Sequence, residues 1–397
     1  MTTDASPKRI YLDNAATSFP KPEAVYEAVD RYNRQIGVAV GRSAYRQAVE
    51  LHRVIDRCRT LAAQLLGAES PERIIFTFNA TDGLNMAIHG LLRPGDHVVT
   101  SAVEHNSVLR PLRDEEERNG VEVTRVAADR SGCVDPDAVR QAVRPNTRLV
   151  ALLHASNVTG TIQPVEEVAE IAHAVGAFFL VDAAQTAGHL PIDLQTLPAD
   201  LLACAGHKGL LGPLGTGLLY VRPGLEDQLR SLRQGGTGSQ SEDDRQPAHL
   251  PDKYESGNHN APALCGLEAA LSFLMDRTVA AIHEHELRLT RRLLEGLAAI
   301  PGVELYGPPA PDRPRVGVVS FTLEGFEPQD LATILDESFG IQARAGLHCA
   351  PGAHRAIGTF EQGGTVRFST SVFTTDADID AALAAVRSIA GCDERGA

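Results

Sequence analysis

The chain has 397 residues, 43% of them hydrophobic and 22% charged, enough for one large domain and one smaller one with sizeable cores. Its net charge of -14 disfavours direct binding to nucleic acid or to an anionic membrane, since both need clustered positive charge. No apolar run approaches the ~18 residues of a membrane span, and the start, Met1 to Ser6, has neither the basic nor the apolar part of a signal peptide, so a cytoplasmic protein is expected.

In chain order, residues 10–16 read as a short strand running into a loop. Pro20 and Pro22 punctuate the approach to a helix from about Glu23, and residues 44–66 have helical apolar spacing that stops at Gly67. Strand-like runs follow at 74–78, 97–100, 121–124, 149–153, 178–181 and 217–221, several of them separated by helical segments such as Val165–Ala174. Strands that are apolar throughout and alternate with helices predict an α/β fold with a mostly parallel sheet covered on both faces, whose ligands sit at strand ends.

From Gln234 to Asn260 the sequence turns polar and Gly/Pro-rich, too long for a simple connection. A long helical pattern over 261–297 then leads to strand-like runs at 303–305, 316–323 and 366–369, with helices near Pro328–Phe339 and Asp376–Ile389. That pattern predicts a smaller α+β domain, and residues 307–314 read as a surface loop. The six cysteines, Cys58, Cys133, Cys204, Cys265, Cys349 and Cys392, show no CxxC pair and no metal-ligand spacing. No metal is expected, and most of these thiols read as reduced, buried small hydrophobes.

The residues that can carry chemistry fall at strand ends. Asp182 closes the run Phe178-Phe179-Leu180-Val181, Gln185 follows it, and Lys208 stands in Ala205-Gly206-His207-Lys208-Gly209. A lysine can bond to the aldehyde of pyridoxal phosphate while a carboxylate keeps its pyridine nitrogen protonated. An acid capping a turn and a lysine in a solvated loop would look the same. Asn79-Ala80-Thr81-Asp82-Gly83, between a strand and a helix, suits a phosphate as well as a plain helix cap. His105 can lie on a pyridine face and shuttle protons, or be one of fourteen histidines at the surface. Asn157 can bond a phenolic oxygen or a carboxylate, or simply turn the chain before Gly160.

These motifs together resemble the class V aminotransferase group of fold type I pyridoxal phosphate enzymes, most closely its cysteine desulfurase and selenocysteine lyase branch. The resemblance runs through Tyr11-Leu12-Asp13-Asn14-Ala15-Ala16, Glu104-His105-Asn106-Ser107, Ser156-Asn157-Val158-Thr159-Gly160, Val181-Asp182-Ala183-Ala184-Gln185, Gly206-His207-Lys208, Arg344-Ala345-Gly346-Leu347-His348-Cys349-Ala350 and Val366-Arg367-Phe368-Ser369. It implies a large domain with a seven-stranded, mostly parallel sheet (residues 23–262). An N-terminal segment (1–22) would pack with the small domain, and residues 263–397 would supply an interdomain helix and that small domain, which carries the Cys349 loop.

By the same resemblance Lys208 is the cofactor lysine, Asp182 faces the pyridine nitrogen, and Gln185 and Asn157 lie near the phenolic oxygen. His105 stacks on the ring, Ala80, Thr81 and His207 hold the phosphate, and Arg367 grips the substrate α-carboxylate through its planar fork. Cys349 sits in what reads as a polar loop over 344–354, where Arg344, His348 and His354 would favour its thiolate. The implied reaction converts L-cysteine to L-alanine, with Lys208 moving the α-proton and Cys349 taking the sulfur as a persulfide for an acceptor protein. The implied assembly is a homodimer whose sites use both chains. Asn258, in Ser256-Gly257-Asn258-His259-Asn260, stands where many relatives have a phosphate-binding Thr from the partner subunit. Ala205, Leu347 and Pro351 also depart from the common patterns. Selenocysteine lyase or another class V reaction is the alternative, and a non-catalytic sulfur-delivery or regulatory protein is a further one.

Overall fold

The computed structural model describes residues 9–41, 45–239, 242–308 and 314–391. The Met1 to Ser6 start, Ala44, Gln240, Ser241, Cys392 and positions 309–313 of the expected surface loop lie outside the described residues.

After β1 (Ile10–Tyr11) come helices Glu23–Arg31 and Arg46–Leu66, the second closed by Gly67 in the left-handed region at φ 67°. The large sheet holds β2 (Ile74–Thr77), β3 (His97–Ser101), β4 (Glu122–Val126), β5 (Thr147–Leu153), β6 (Phe178–Asp182), β7 (Leu201–Ala205) and β8 (Gly217–Val221). Its order is β2-β8-β7-β6-β5-β3-β4, and β8 alone runs antiparallel to its neighbours.

The central strands are apolar on both faces because each face meets helices. Phe179, Val181, Leu202, Cys204, Leu218 and Tyr220 pack with Leu51, Ile55 and Leu264 on one side. Leu180, Leu201, Ala203, Leu219 and Val221 pack with Leu84 and Ile88 on the other. Strand β7 is absent from the runs read in the sequence. Leu-Leu-Ala-Cys-Ala carries no β-branched residue, so complete burial between β6 and β8 makes it a strand where propensity would not.

The long helical pattern after Asn260 is two helices, Ala261–Arg277 and Val279–Ala298. Thr278 divides them: its backbone turns to φ 63°, and its hydroxyl accepts from Ala281 N at 3.3 Å. Next come β9 (Val303–Tyr306), β10 (Val318–Leu323), helix Pro328–Phe339, β11 (Ile341–Gln342), β12 (Arg344–Gly346), β13 (Thr365–Ser369) and helix Asp376–Ile389. Four of these strands make an antiparallel sheet in the order β12-β13-β10-β9, while β11 pairs in parallel with β1. Residues 344–354 are therefore a strand, a tight turn and the start of helix Pro351–Ile357, rather than an open loop.

Cys58, Cys204 and Cys265 are buried, and burial pushes the Cys204 thiol up to about 12 and that of Cys265 up to about 11. Cys349 is exposed. Among the described residues no helix is long and apolar enough to cross a membrane, and no cluster of three or more His, Cys, Asp and Glu side chains could hold a metal ion.

The polar stretch before Asn260 is moored by one buried ion pair. Arg59 donates to Glu255 from both terminal nitrogens, at 2.7 and 2.8 Å, and Glu255 Oε1 also accepts from Phe76 N at 2.6 Å. Replacing Arg59 with Leu leaves Glu255 charged and buried without its main partner. The expected cost is about 3–5 kcal/mol, read as an earlier urea midpoint than the parent chain.

Candidate active site

The C-terminal ends of β5, β6 and β7 and the N-terminal ends of two helices converge on one pocket. Lys208 lies on the turn after β7, where Gly206 N donates to Thr216 O at 2.9 Å and Gly212 N to Gly206 O at 2.7 Å. A side chain at Gly206 would strike Thr216, so this turn needs glycine.

The turn is also held from outside. The carbonyl of His207, in the peptide leading to Lys208, meets four donors: Ser18 N at 3.0 Å, Thr17 Oγ1 at 3.0 Å, Ser18 Oγ at 3.1 Å and Lys21 Nζ at 2.9 Å. Ser18 Oγ lies 2.9 Å from Lys208 O as well, and burial lowers the Lys21 amine to about 8.

Asp182 ends β6 inside the pocket, with Oδ1 accepting from Ala184 N at 2.9 Å. Burial raises its pKa, while the bond to Ala184 N and the Lys208 charge oppose that rise. Burial lowers Lys208 to about 8; Asp182 works against this, and Arg367 and Arg344 add to it. A neutral amine is thus accessible to Lys208 near neutral pH.

His105 caps helix Asn106–Asn119, its Nδ1 accepting from Ser107 N at 3.0 Å. Burial, then the Lys208 charge, lowers it to about 4. The ring is therefore neutral at pH 7 with its proton on Nε2. Such a ring can stack and donate, but it is a poor base. Ser107, a pocket residue that sequence reasoning left without a role, links His105 to Thr81: its Oγ lies 2.8 Å from His105 Nδ1 and 2.7 Å from Thr81 Oγ1.

The cap of helix Ala80–Leu91 is Asn79, whose Oδ1 accepts from Asp82 N at 2.9 Å. Capping therefore does not need the Thr81 hydroxyl, and that helix start, with its free N–H groups, opens on the pocket together with Ala80 and Thr81.

Cys349 follows β12 and lies beside this pocket. His348 and Cys349 both sit in the left-handed region, at φ 48° and 60°. Two bonds fix their carbonyls: Asn157 Nδ2 donates to His348 O at 2.6 Å, and Asn106 N donates to Cys349 O at 2.9 Å. Arg344 Nη2 stands 3.7 Å from Sγ.

His348 and His354, expected to aid the thiolate, are buried and bonded to Thr365 and Thr359. Burial holds His348 well below its ordinary value and lowers His354 to about 4, so both are neutral and the positive charge beside Sγ is that of Arg344.

Arg367, on β13, is only 1% exposed. It donates to Asn157 O at 3.0 Å and to Asp13 Oδ1 at 2.7 Å, and its Nε has no partner. It is close enough to Lys208 and Cys349 to interact with both electrostatically. Asp13, its carboxylate partner, has no assigned role in the sequence reading. No local signal could have supplied one, because the two residues are 354 positions apart.

Of the residues expected at the site, Ala80, Thr81, His105, Asn157, Asp182, Gln185, His207 and Lys208 line this one pocket. Asn258 does not; it borders a separate groove with His52, Gly236 and His259. The pocket suits pyridoxal phosphate in its donor set and in what it leaves unpaired. A buried amine, a buried carboxyl and a helix N-terminus face one space, and the buried Asn157 Oδ1 and His207 Nδ1 have no partner.

A family model described as Aminotransferase class-V matches residues 10–382 of the chain. A probable cysteine desulfurase of Methanothermobacter thermautotrophicus is 38% identical over 385 residues, 96% of this chain and 95% of the relative. The apo structure of a cysteine desulfurase from Thermococcus onnurineus NA1 superposes with a TM-score of 0.90 at 34% identity, covering 97% of this chain and 95% of that one. The structure of the cysteine desulfurase CsdA (S-sulfonic acid) from Escherichia coli gives a TM-score of 0.85 at 30% identity, covering 96% and 94%.

In cofactor-free protein, competitive acetylation of Lys208 followed by mass spectrometry should titrate with a midpoint of about 8. Asp182→Asn removes the carboxylate that holds the ammonium form, so the midpoint should move further down. A midpoint near the ordinary lysine value of about 10.4 would contradict this electrostatic picture.

Proposed function

The chain belongs to the class-V aminotransferase family, and from that membership we propose that it is a pyridoxal-phosphate-dependent cysteine desulfurase, releasing L-alanine and keeping the sulfur on Cys349. The observation that carries this reading is the anchoring of the Cys349 turn. Its two carbonyls are bonded to Asn157, a pocket residue, and to Asn106, the neighbour of His105, which brings the thiol to the pocket that holds Lys208 and Asp182.

Pyridoxal phosphate, when bound, supplies an aldehyde that takes up the substrate amine and a ring that withdraws electrons from Cα. Lys208, Asp182, Gln185 and His105 would hold its ring, and Ala80, Thr81 and His207 its phosphate. Asn258 would contribute from the second chain of a homodimer. Lys208 Nζ, with its ammonium form destabilised by burial, removes the proton from the substrate Cα and returns one later in the cycle. Arg367 holds the substrate carboxylate, and Asp13 and the Asn157 carbonyl fix the plane of its guanidinium.

Cys349 Sγ then forms a bond to the substrate sulfur. The carbon–sulfur bond breaks, and its electron pair stays with the carbon fragment that leaves as alanine. Arg344 steadies the thiolate that begins this step. The persulfide is afterwards passed to an acceptor protein in the reducing cytoplasm.

Cys349→Ala tests the reading. Alanine and sulfide production from L-cysteine should fall at least ~100-fold, the order expected for loss of a nucleophile. Borohydride should still fix the cofactor to Lys208. Unchanged turnover in this variant would sink the proposal.

A further inference from the structure

A second depression lies beside the Cys349 turn, between helices Asn106–Asn119 and Pro351–Ile357. Its floor is apolar, with Leu109, Ala128 and Ala356. Its wall begins at Pro351, two residues after Cys349, so the wall and the Cys349 backbone are separated by no more than about 7 Å of chain. That wall is firmly seated, because Gly352 packs directly on the carbonyl of Ala102.

Four arginines, Arg110, Arg113, Arg125 and Arg355, rim the groove. Arg113 is paired with Glu117 at 2.7 Å, and Arg125 with Glu116 at 2.7 Å. Arg110 and Arg355 are exposed and have no carboxylate partner among the described residues. The Arg355 guanidinium lies 4.0 Å from the centre of the Phe360 ring, which holds it at the rim. A chain with net charge -14 thus places an excess of positive charge around an apolar floor, next to its exposed thiol.

We propose that this groove is the docking surface of the sulfur acceptor, and that the acceptor lays there an acidic segment carrying its thiol. The inference rests on the desulfurase reading above. The arginine rim attracts carboxylates over about a Debye length, the apolar floor takes the body of the segment, and the approach delivers its cysteine to Cys349. The acceptor thiolate then attacks the outer sulfur of the Cys349 persulfide. That sulfur–sulfur bond breaks, Cys349 leaves as thiolate, and the acceptor carries the new persulfide, so no oxidant or reductant is consumed.

The test uses the cofactor-loaded enzyme with L-cysteine and two synthetic peptides of equal length. Each has a single cysteine, flanked in one by Asp and Glu and in the other by Lys. Persulfide on each peptide is measured by mass spectrometry, and each rate is normalised to that peptide's rate with a small soluble disulfide. The acidic peptide should accept sulfur about 10-fold faster at low salt, with the advantage shrinking at high salt.

Replacing both arginines, Arg110→Glu with Arg355→Glu, should reverse that preference while leaving alanine production with dithiothreitol within about twofold, since the small thiol needs no docking. Equal normalised rates for the two peptides, or a preference that survives the double substitution, would overturn the proposal. So would a change in oligomeric mass of the double variant, which would make the groove a contact between copies of this chain. Absence of alanine from the parent enzyme with dithiothreitol counts instead against the desulfurase reading.

Discussion

The site depends on one short stretch of chain, residues 12–21, hydrogen-bonded at once to β13 of the four-stranded sheet and to the segments that follow β6 and β7. On the small-domain side, Ser369 N donates to Leu12 O at 2.7 Å, Asn14 Nδ2 to Ser369 O at 2.9 Å, and Asp13 holds Arg367. On the large-domain side, Gln185 Nε2 donates to Ala15 O at 3.0 Å, and Thr17, Ser18 and Lys21 crowd the carbonyl of His207. Arg367 and Lys208 lie 159 positions apart in the chain, and this one stretch bonds to both, through Asp13 and Ser18. A carbonyl has only two lone pairs, so four donors around it over-determine the position of the peptide that leads into Lys208.

The electrostatics follow from that enclosure. Lys208, Arg367 and Asp182 share this space, and burial weighs against the charge of each. The imidazoles respond by staying neutral. His105 and His207 are both lowered to about 4, by burial first. Glu104, wholly buried below His105, is raised to about 8, again mainly by burial.

Much of this was legible in the sequence, and what was not has a physical reason. The six strand-like runs and the strand-end placement of Asp182, His105 and Asn157 could be read from local pattern alone. Strand β7 could not, because Leu-Leu-Ala-Cys-Ala is a strand only between its two neighbours. The break at Thr278 was hidden by apolar spacing that continues across it. Arg367 reads locally as a solvated charge on a strand, and only a partner 354 residues earlier makes its burial tolerable. The short helix after Cys349 was obscured by Pro351 and Gly352, residues that suit a loop equally well.

The left-handed turn at His348 and Cys349 has a consequence for access to the sulfur. Holding two residues with side chains in that region costs on the order of 1–3 kcal/mol each, which their bonds to Asn157 and Asn106 offset. The turn leaves Cys349 exposed while Arg344 Nη2 stands 3.7 Å from its Sγ. A sulfur atom carried there is reachable from water without the turn having to open.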